Sequence, residues 1–374
     1  MPPRSPKPRL TTDARRRAAE LSTRLLGFYD REGRDLPWRQ TKDPYRVWVS
    51  EVMLQQTQVV TVLPYYARFL EAFPTVRALA ESATDDVLAM WAGLGYYGRA
   101  RNLQAAARVV VANHGGVFPR DWADALALPG VGRYMAGAVL SIAFGQRLPA
   151  VDGNAERALA RVFLVRGHIG SGRAKARIHA LAEAAVPADR PGDHNQALME
   201  LGALVCTPRA PQCGRCAVRE LCGAAERGLQ EAIPRPRPRP AARAVTAVAA
   251  VVRRDSRVLI RRQSGPGAWS GLWVFPHAEG HELDAVGLPA DLAAPTGRVV
   301  QVRHTVMQRR IDLKAHECRA AQGVALPQGE WRWVKASELE AVALPAPHRK
   351  VARLLGLGLP PTRLLDAEGV EHAG

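Results

Sequence analysis

The 374-residue chain has no apolar run long enough to cross a bilayer, so a membrane-spanning helix is excluded as its organising element. Its start carries Arg4, Arg9, Arg15, Arg16 and Arg17 without the apolar stretch of a secretory signal, and reads as a solvated basic tail; an organellar presequence stays open. Acids are scarce: 35 Asp and Glu stand against 52 Lys and Arg, for a net charge of +17 and a pI near 10.5. That imbalance favours a polyanionic partner, and without a membrane segment nucleic acid is the expected one. Five cysteines in a chain without secretion signals disfavour a disulfide framework. With 47% hydrophobic residues the chain is globular, and its length leaves room for two domains, each with its own core.

The segment Leu128 to Arg133, LPGVGR, should break one helix and start another. Pro129 removes a backbone donor, while Gly130 and Gly132 permit a tight hairpin. The small apolar run Met135 to Phe144 then reads as a buried helix, whose free N-terminal amides and dipole suit a phosphate. Beyond it, Asp152 sits in VDGN at a turn or helix start.

Upstream, Leu21 to Tyr29 reads as an amphipathic helix leading into RDLPWR, where Arg34 and Arg39 flank Trp38 in a pattern able to stack on and hydrogen-bond a base. Asp43 to Val59 reads as a mostly buried helix carrying one acid, Glu51, among Val49, Val52 and Met53. Such surroundings raise a carboxyl pKa and keep the group protonated long enough to donate; an exposed helix glutamate is the alternative. The polar run Gln55 to Gln58 supplies donors and acceptors for base edges or for an emptied stack. In WAGLGYYGRARNL, glycines 93, 95 and 98 expose Tyr96 as a wedge between bases, with Arg99 and Arg101 expected on the DNA backbone.

Cys206, Cys213, Cys216 and Cys222 leave six, two and five residues between successive sulfurs. Four soft ligands so spaced imply zinc or an iron-sulfur cluster. Cys318 stands alone and reads as a small buried residue. Arg209, Arg215 and Arg219 on the same loop are poised for phosphates. Ile233 to Pro240, IPRPRPRP, reads as a basic polyproline linker at a domain boundary. Thereafter the period shifts to strands at 245–252, 258–262, 272–275, 298–302, 311–315 and 331–334.

The hairpin at Leu128 to Tyr134 with Asp152, and the cysteine spacing with it, resemble the helix-hairpin-helix base-excision DNA glycosylases, specifically their endonuclease III and MutY branch. The later segments GAWSGLWVFP and WRWVKASEL resemble the Nudix-related C-terminal domain of the MutY family, without a Nudix box. The resemblance implies a multidomain chain: a basic tail (1–19), an all-α glycosylase domain (20–230) with a four-cysteine cluster loop (206–222), a Pro/Arg linker (231–243), an α+β Nudix-like lesion-recognition domain (244–355) and a C-terminal tail (356–374). It implies a monofunctional adenine DNA glycosylase acting on double-stranded DNA with adenine opposite 8-oxoguanine or guanine. The enzyme would be a cytoplasmic, nucleoid-associated monomer with no membrane association.

By that resemblance Glu51 protonates adenine, Asp152 stabilises the sugar and Tyr134 orients the site. Arg34, Trp38, Arg39, Leu54 and Glu200 line the base pocket, and Gln56, Thr57 and Tyr96 contact the opened stack. Gly130, Gly132 and Arg133 hold a phosphate, and the four cysteines carry a [4Fe-4S] cluster. A lyase needs an amine where this chain has Tyr134, which weighs against an endonuclease III-like glycosylase/lyase. A non-catalytic DNA-binding protein is the other alternative. The family's Phe-Ser-His reader of 8-oxoguanine is replaced here by Val306, Met307 and Gln308, which implies weaker discrimination against guanine.

Overall fold

A computed structural model describes residues 8–169, 171–235, 241–265, 267, 269–289 and 291–359, with the backbone of 364–365 and 371–372. The helices are α1 (Thr12–Glu32), α2 (Pro44–Leu54), α3 (Val59–Ala72), α4 (Val76–Glu81), α5 (Thr84–Met90) and α6 (Gly98–Asn113). They continue with α7 (Trp122–Ala127), α8 (Arg133–Phe144), α9 (Gly153–Val162), α10 (Gly172–Ala185), α11 (Pro191–Leu204) and α12 (Gly223–Glu226). Strands follow: β1 (Arg243–Arg254), β2 (Arg257–Arg262), β3 (Trp273–Val274), β4 (His277–Glu279), β5 (Ala293–Val306), β6 (Arg309–Ala320) and β7 (Trp331–Lys335), then α13 (Ala346–Leu354).

Two compact units form, one from Met1–Val52 with Val109–Arg239, the other from Met53–Arg108 with Pro240–Gly374. Residues 53–108, read from the sequence as part of the helical domain, are helical (the end of α2 and α3 to α6) and pack in the same unit as the C-terminal sheet.

In the first unit, α1 turns Leu21, Leu25 and Phe28 inward against Leu159, Ile178, Leu181 and Leu198 of α9, α10 and α11. Its spacing is helical, and the Thr11 hydroxyl caps it by accepting the Ala14 N–H at 3.2 Å. The helix therefore begins inside the stretch read as tail. Nearly all of α8 is buried, from Met135 to Ile142. A Cβ on Gly137 would lie 2.2 Å from the Pro149 carbonyl oxygen, so glycine is required for the chain to pass that close.

In the second unit, the sheet order is β3-β2-β1-β6-β5, with β4 pairing β1 and β7 pairing β2. β1 and β6 run parallel, from Arg243 opposite Arg309 to Arg253 opposite Arg319, while the other pairs are antiparallel. Alternate residues of β1, Val245, Ala247, Ala249 and Val251, pack on one face against Leu313, Leu339 and Val351. Asp85 of α5 ties the unit together, receiving both Arg262 terminal nitrogens at 2.9 and 2.8 Å and Trp273 Nε1 at 3.1 Å. Cys318 is buried in a second apolar cluster, as expected of a lone thiol. The six strands read from the sequence all appear; β4 is additional to them. Residues 236–240, which hold most of the expected polyproline linker, lie outside the described residues.

Candidate active site and cysteine cavity

The α2 helix carries Glu51 inward, leaving it 5% exposed. Three residues of the Gly-rich hairpin set the partner. Gly130 adopts φ 75°, open to glycine at little cost, and Gly132 then serves as N-cap of α8. Tyr134 therefore falls in the first turn of α8, where its hydroxyl donates to Glu51 Oε2 and lies 3.8 Å from Met199 Sδ.

Burial pushes the Glu51 carboxyl up from 4.5 to about 7; the Tyr134 hydrogen bond opposes that rise, the charge of Asp152 adds to it, and Arg39 opposes it. Tyr134 is itself driven well above its ordinary range by burial and then by the charges of Glu51 and Asp152, so it stays a neutral donor.

Asp152 is the N-cap of α9, as VDGN suggests, and its Oδ1 accepts the Ala155 N–H at 2.7 Å while Oδ2 accepts Asn154 Nδ2 at 3.0 Å. Burial raises its pKa, and the Ala155 N–H, the Asn154 amide and the charge of Arg157 act against that rise. Glu51, Tyr134 and Asp152 are thus brought together electrostatically: a neutral-leaning acid, a hydroxyl donor, and a second carboxyl raised by burial, a rise that Ala155, Asn154 and Arg157 counter.

Sequence reasoning leaves Asn154 and Arg157 without a role. Arg157 Nη2 donates to Asn154 Oδ1 at 2.9 Å and to the Gly202 carbonyl at 2.8 Å, and its Nε donates to the Cys206 carbonyl at 2.7 Å. Their spacing from Asp152, two and five residues on, places them on one turn of a capped helix, the signal that was available.

A second acid, Glu200 of α11, is 1% exposed. It accepts Arg34 through the backbone N–H at 3.0 Å, Nε at 2.8 Å and Nη2 at 2.8 Å, and Arg39 Nη2 at 2.8 Å. Against the burial that raises it, the Arg34 and Arg39 hydrogen bonds hold this carboxyl down to about 2. Arg39 also covers the Tyr29 ring at 5.2 Å, and Trp38 is buried beside it in the chain. The expected pocket residues Arg34, Arg39 and Glu200 therefore form one ion cluster.

Leu54 ends α2 and is half-buried, so Gln55 to Gln58 form a turn rather than the helix face anticipated. Gln56 is exposed with φ 58°, and Tyr96, 53% exposed, has φ 47°. Thr57 is half-buried. Arg99 and Arg101, expected to face phosphates, instead donate to protein oxygens: Arg99 to five of them, Arg101 to the Ser270 carbonyl at 2.6 Å. Arg133 is exposed, with its guanidinium 5.7 Å from the Trp122 ring centroid. Arg215 pairs with Glu32 at 3.1 Å. Gln308 is exposed in the two-residue turn between β5 and β6.

Cys206, Cys213, Cys216 and Cys222 line one small cavity of about 20 Å³, walled by Val162, Leu201 and other apolar side chains. Among the described residues, no three His, Cys, Asp or Glu side chains close to the spacing of a single metal ion. A zinc tetrathiolate needs every sulfur about 2.3 Å from one ion. Four thiols lining one cavity are a donor set suited to a zinc ion or to an iron-sulfur cluster. Arg161, 2% exposed, donates to Cys206 Sγ at 3.3 Å and to the Thr207 carbonyl at 2.7 Å, and backbone N–H groups of Val218 and Ala225 reach Cys216 and Cys222. Burial pushes the Cys216 thiol up to about 11, so a thiolate there requires positive charge inside the ring.

Residues 49–184 match the model of HhH-GPD superfamily base excision DNA repair proteins, and residues 247–354 match the NUDIX domain model. The adenine DNA glycosylase of Homo sapiens is 50% identical over 217 residues, 55% of this chain and 40% of that protein. The adenine DNA glycosylase of Buchnera aphidicola subsp. Schizaphis graminum is 33% identical over 258 residues, 69% of this chain and 74% of that protein. The chain thus spans less than half the length of the human relative, and about three quarters of the bacterial one. A solved thermostable thymine-DNA glycosylase superposes with a TM-score of 0.51 at 31% identity, covering 57% of this chain and 98% of its own. No helix among the described residues is long and apolar enough to cross a membrane.

Proposed function

The chain belongs to the adenine DNA glycosylase family, and from that premise we propose that it excises adenine mispaired with 8-oxoguanine or guanine in double-stranded DNA, during base excision repair. One observation carries the reading: a buried glutamate whose carboxyl is held up to about 7, hydrogen-bonded by Tyr134 and facing the charge of Asp152. Breaking the bond between a purine and deoxyribose leaves negative charge on the base and positive charge on the sugar. The two carboxyls meet those demands in opposite protonation states.

Glu51 gives its proton to the extruded adenine, and Asp152, held toward its ionised form by Ala155, Asn154 and Arg157, steadies the oxocarbenium-like sugar. Tyr134 aims the Glu51 carboxyl. The Glu200 cluster fixes Arg34 and Arg39 at the base pocket, with Trp38 and Leu54, and Arg133 with the amides at Gly130 and Gly132 holds a backbone phosphate. Gln56, Thr57 and Tyr96 offset the unstacking that extrusion costs, about a few kcal/mol. Because Tyr134 stands where a lyase presents an amine, strand cleavage is left to a later step.

Cys206, Cys213, Cys216 and Cys222 hold a [4Fe-4S] cluster. When bound, it supplies a structural cross-link for the loop; the described chain around it, Arg161 and Arg157, satisfies the Cys206 carbonyl and sulfur. The protein works in the cytoplasm, with the nucleoid, as a monomer.

Purified protein should free adenine from a duplex bearing adenine opposite 8-oxoguanine, and nick that strand only after added alkali. Glu51→Gln should abolish release while duplex binding persists; release by that variant at the wild-type rate would end the acid assignment. Metal analysis should find about four irons per chain rather than one zinc.

A further inference from the structure

Among the described residues of the second unit, four non-glycine residues hold the left-handed conformation at exposed sites, and the turns of two of them meet at one arginine: Gln56 with φ 58° in the turn after α2 and Tyr96 with φ 47° in the turn before α6. Side chains with a Cβ adopt that conformation at a cost and keep it only where the surroundings hold them there. Both turns close on one side chain, Arg99, in the first turn of α6. Its Nη1 donates to the Met53 carbonyl at 2.8 Å and the Gln55 carbonyl at 2.5 Å. Its Nη2 donates to Thr57 Oγ1 at 3.1 Å, the Leu94 carbonyl at 3.2 Å and the Gly95 carbonyl at 3.3 Å.

These acceptors bracket both strained residues: Gln55 and Thr57 flank Gln56, and Leu94 and Gly95 immediately precede Tyr96. The guanidinium also lies 5.7 Å from the Tyr96 ring centroid and 5.4 Å from that of buried Trp91. Its planar fork reaches two loops at once, a geometry that an ammonium cannot reproduce.

We propose that Arg99 is the positioning residue of the duplex-opening apparatus: it locks the Gln56 and Tyr96 turns to each other, so that the two side chains enter the base stack as one pre-set unit. This rests on the reading of the chain as a glycosylase that extrudes adenine. A pre-set pair loses less conformational freedom on entering DNA than two independent loops, so the extruded state is populated more at equal contact area. Arg99 touches no reacting atom; its effect passes through Gln56 and Tyr96.

The test uses the full chain with Arg99→Lys, Arg99→Ala and Thr57→Val, each checked by thermal melting. Thr57→Val removes one of these bonds together with Thr57's own contact with the opened stack, so thermal melting separates folding defects, and non-additivity of Thr57→Val with Arg99→Ala reports the positioning bond. Extrusion is read from the fluorescence of 2-aminopurine placed beside the target adenine, and chemistry from single-turnover adenine release.

Arg99→Ala should lower the extruded population about tenfold, Thr57→Val less, and Arg99→Lys should restore part of the loss. Tyr96→Ala should cost much less in the Arg99→Ala background than alone, because the two act through one step. The defect in release should shrink on a duplex whose target adenine is already unpaired. Additive effects of Arg99→Ala and Tyr96→Ala, or an equal defect on the unpaired adenine, would overturn the proposal. Absence of adenine release by the wild type strikes the glycosylase reading alone, since the extrusion signal still reports on Arg99.

Discussion

Tyr134 donates its hydroxyl hydrogen to Glu51 Oε2, and this bond is the largest influence opposing the burial that lifts the Glu51 carboxyl to about 7. A donor stabilises the ionised carboxylate, so the tyrosine restrains the very shift that suits Glu51 to give up a proton near neutral pH. Tyr134→Phe removes the restraint. The Glu51 carboxyl then rises further, and the alkaline limb of single-turnover adenine release moves to higher pH. The plateau should fall by about tenfold, the equivalent of one net hydrogen bond. An alkaline limb that stays in place or moves to lower pH would contradict this link.

The same burial has a consequence for stability. A carboxyl raised from 4.5 to about 7 on folding contributes stability that is fully present below 4.5 and lost as pH rises through 7, because the folded chain retains a proton the unfolded chain releases. Above that range the ionised, buried group costs about 3 kcal/mol. Glu51→Gln keeps an acceptor for Tyr134 but cannot ionise. Its stability relative to wild type should therefore improve by about 2 to 3 kcal/mol between pH 5 and pH 8, measured by denaturant unfolding at both. A constant difference across that range would mean that Glu51 is not buried in its charged form.

Much of this site was legible before any coordinates. Asp152 announced a helix start through the Gly and Asn behind it, and Glu51 stood out as the one acid among Val49, Val52 and Met53, because burial follows from local pattern. Polar turns were less legible. Gln55 to Gln58 lack a glycine or proline to mark the end of α2, and the helix stops there because Arg99, more than forty residues on, captures the Met53 and Gln55 carbonyls. Arginine on a glycine-rich loop resembles a DNA-facing cation, so Arg99 and Arg101 read as phosphate contacts; only tertiary structure shows them turned toward carbonyls. Residues 53–108 meet the C-terminal sheet's unit through Asp85 with Arg262 and Arg101 with Ser270, pairings no local pattern encodes.

Glu200 presents the opposite electrostatic case to Glu51. Its carboxyl, held down to about 2 by Arg34 and Arg39, contributes stability above 4.5 that is lost as pH falls from 4.5 through 2. Glu200→Gln would leave the guanidinium of Arg39, itself 12% exposed at the side chain, without its counter-charge. Arg34, at 34%, is screened by water and suffers less. The expected loss at pH 7 is about 3 kcal/mol, the low end for breaking a buried pair. Urea unfolding should show the gap between variant and wild type closing as pH falls below 4; a gap that persists there would assign the loss to packing rather than charge.

We propose that substrate choice turns on the β5–β6 turn. Val306 ends one strand and Arg309 begins the next, leaving Met307 and Gln308 as the two residues that reverse the chain. Met307 takes φ 53° and is 71% exposed, and the Gln308 carbonyl is fixed by the Arg243 N–H at 2.8 Å. The backbone of the turn is thus anchored while both side chains face solvent. A thioether offers no donor to the Hoogsteen edge of 8-oxoguanine, whose added N7–H and oxygen are what separate it from guanine; only Gln308 can supply a polar contact. Wild-type protein should therefore release adenine opposite 8-oxoguanine and opposite guanine at similar rates. Gln308→His should widen that ratio by about fivefold, the worth of one added hydrogen bond. The ratio of single-turnover rates on the two duplexes measures this directly. A ratio unchanged by the substitution would remove this turn from lesion recognition and require the opposite base to be read elsewhere in the chain.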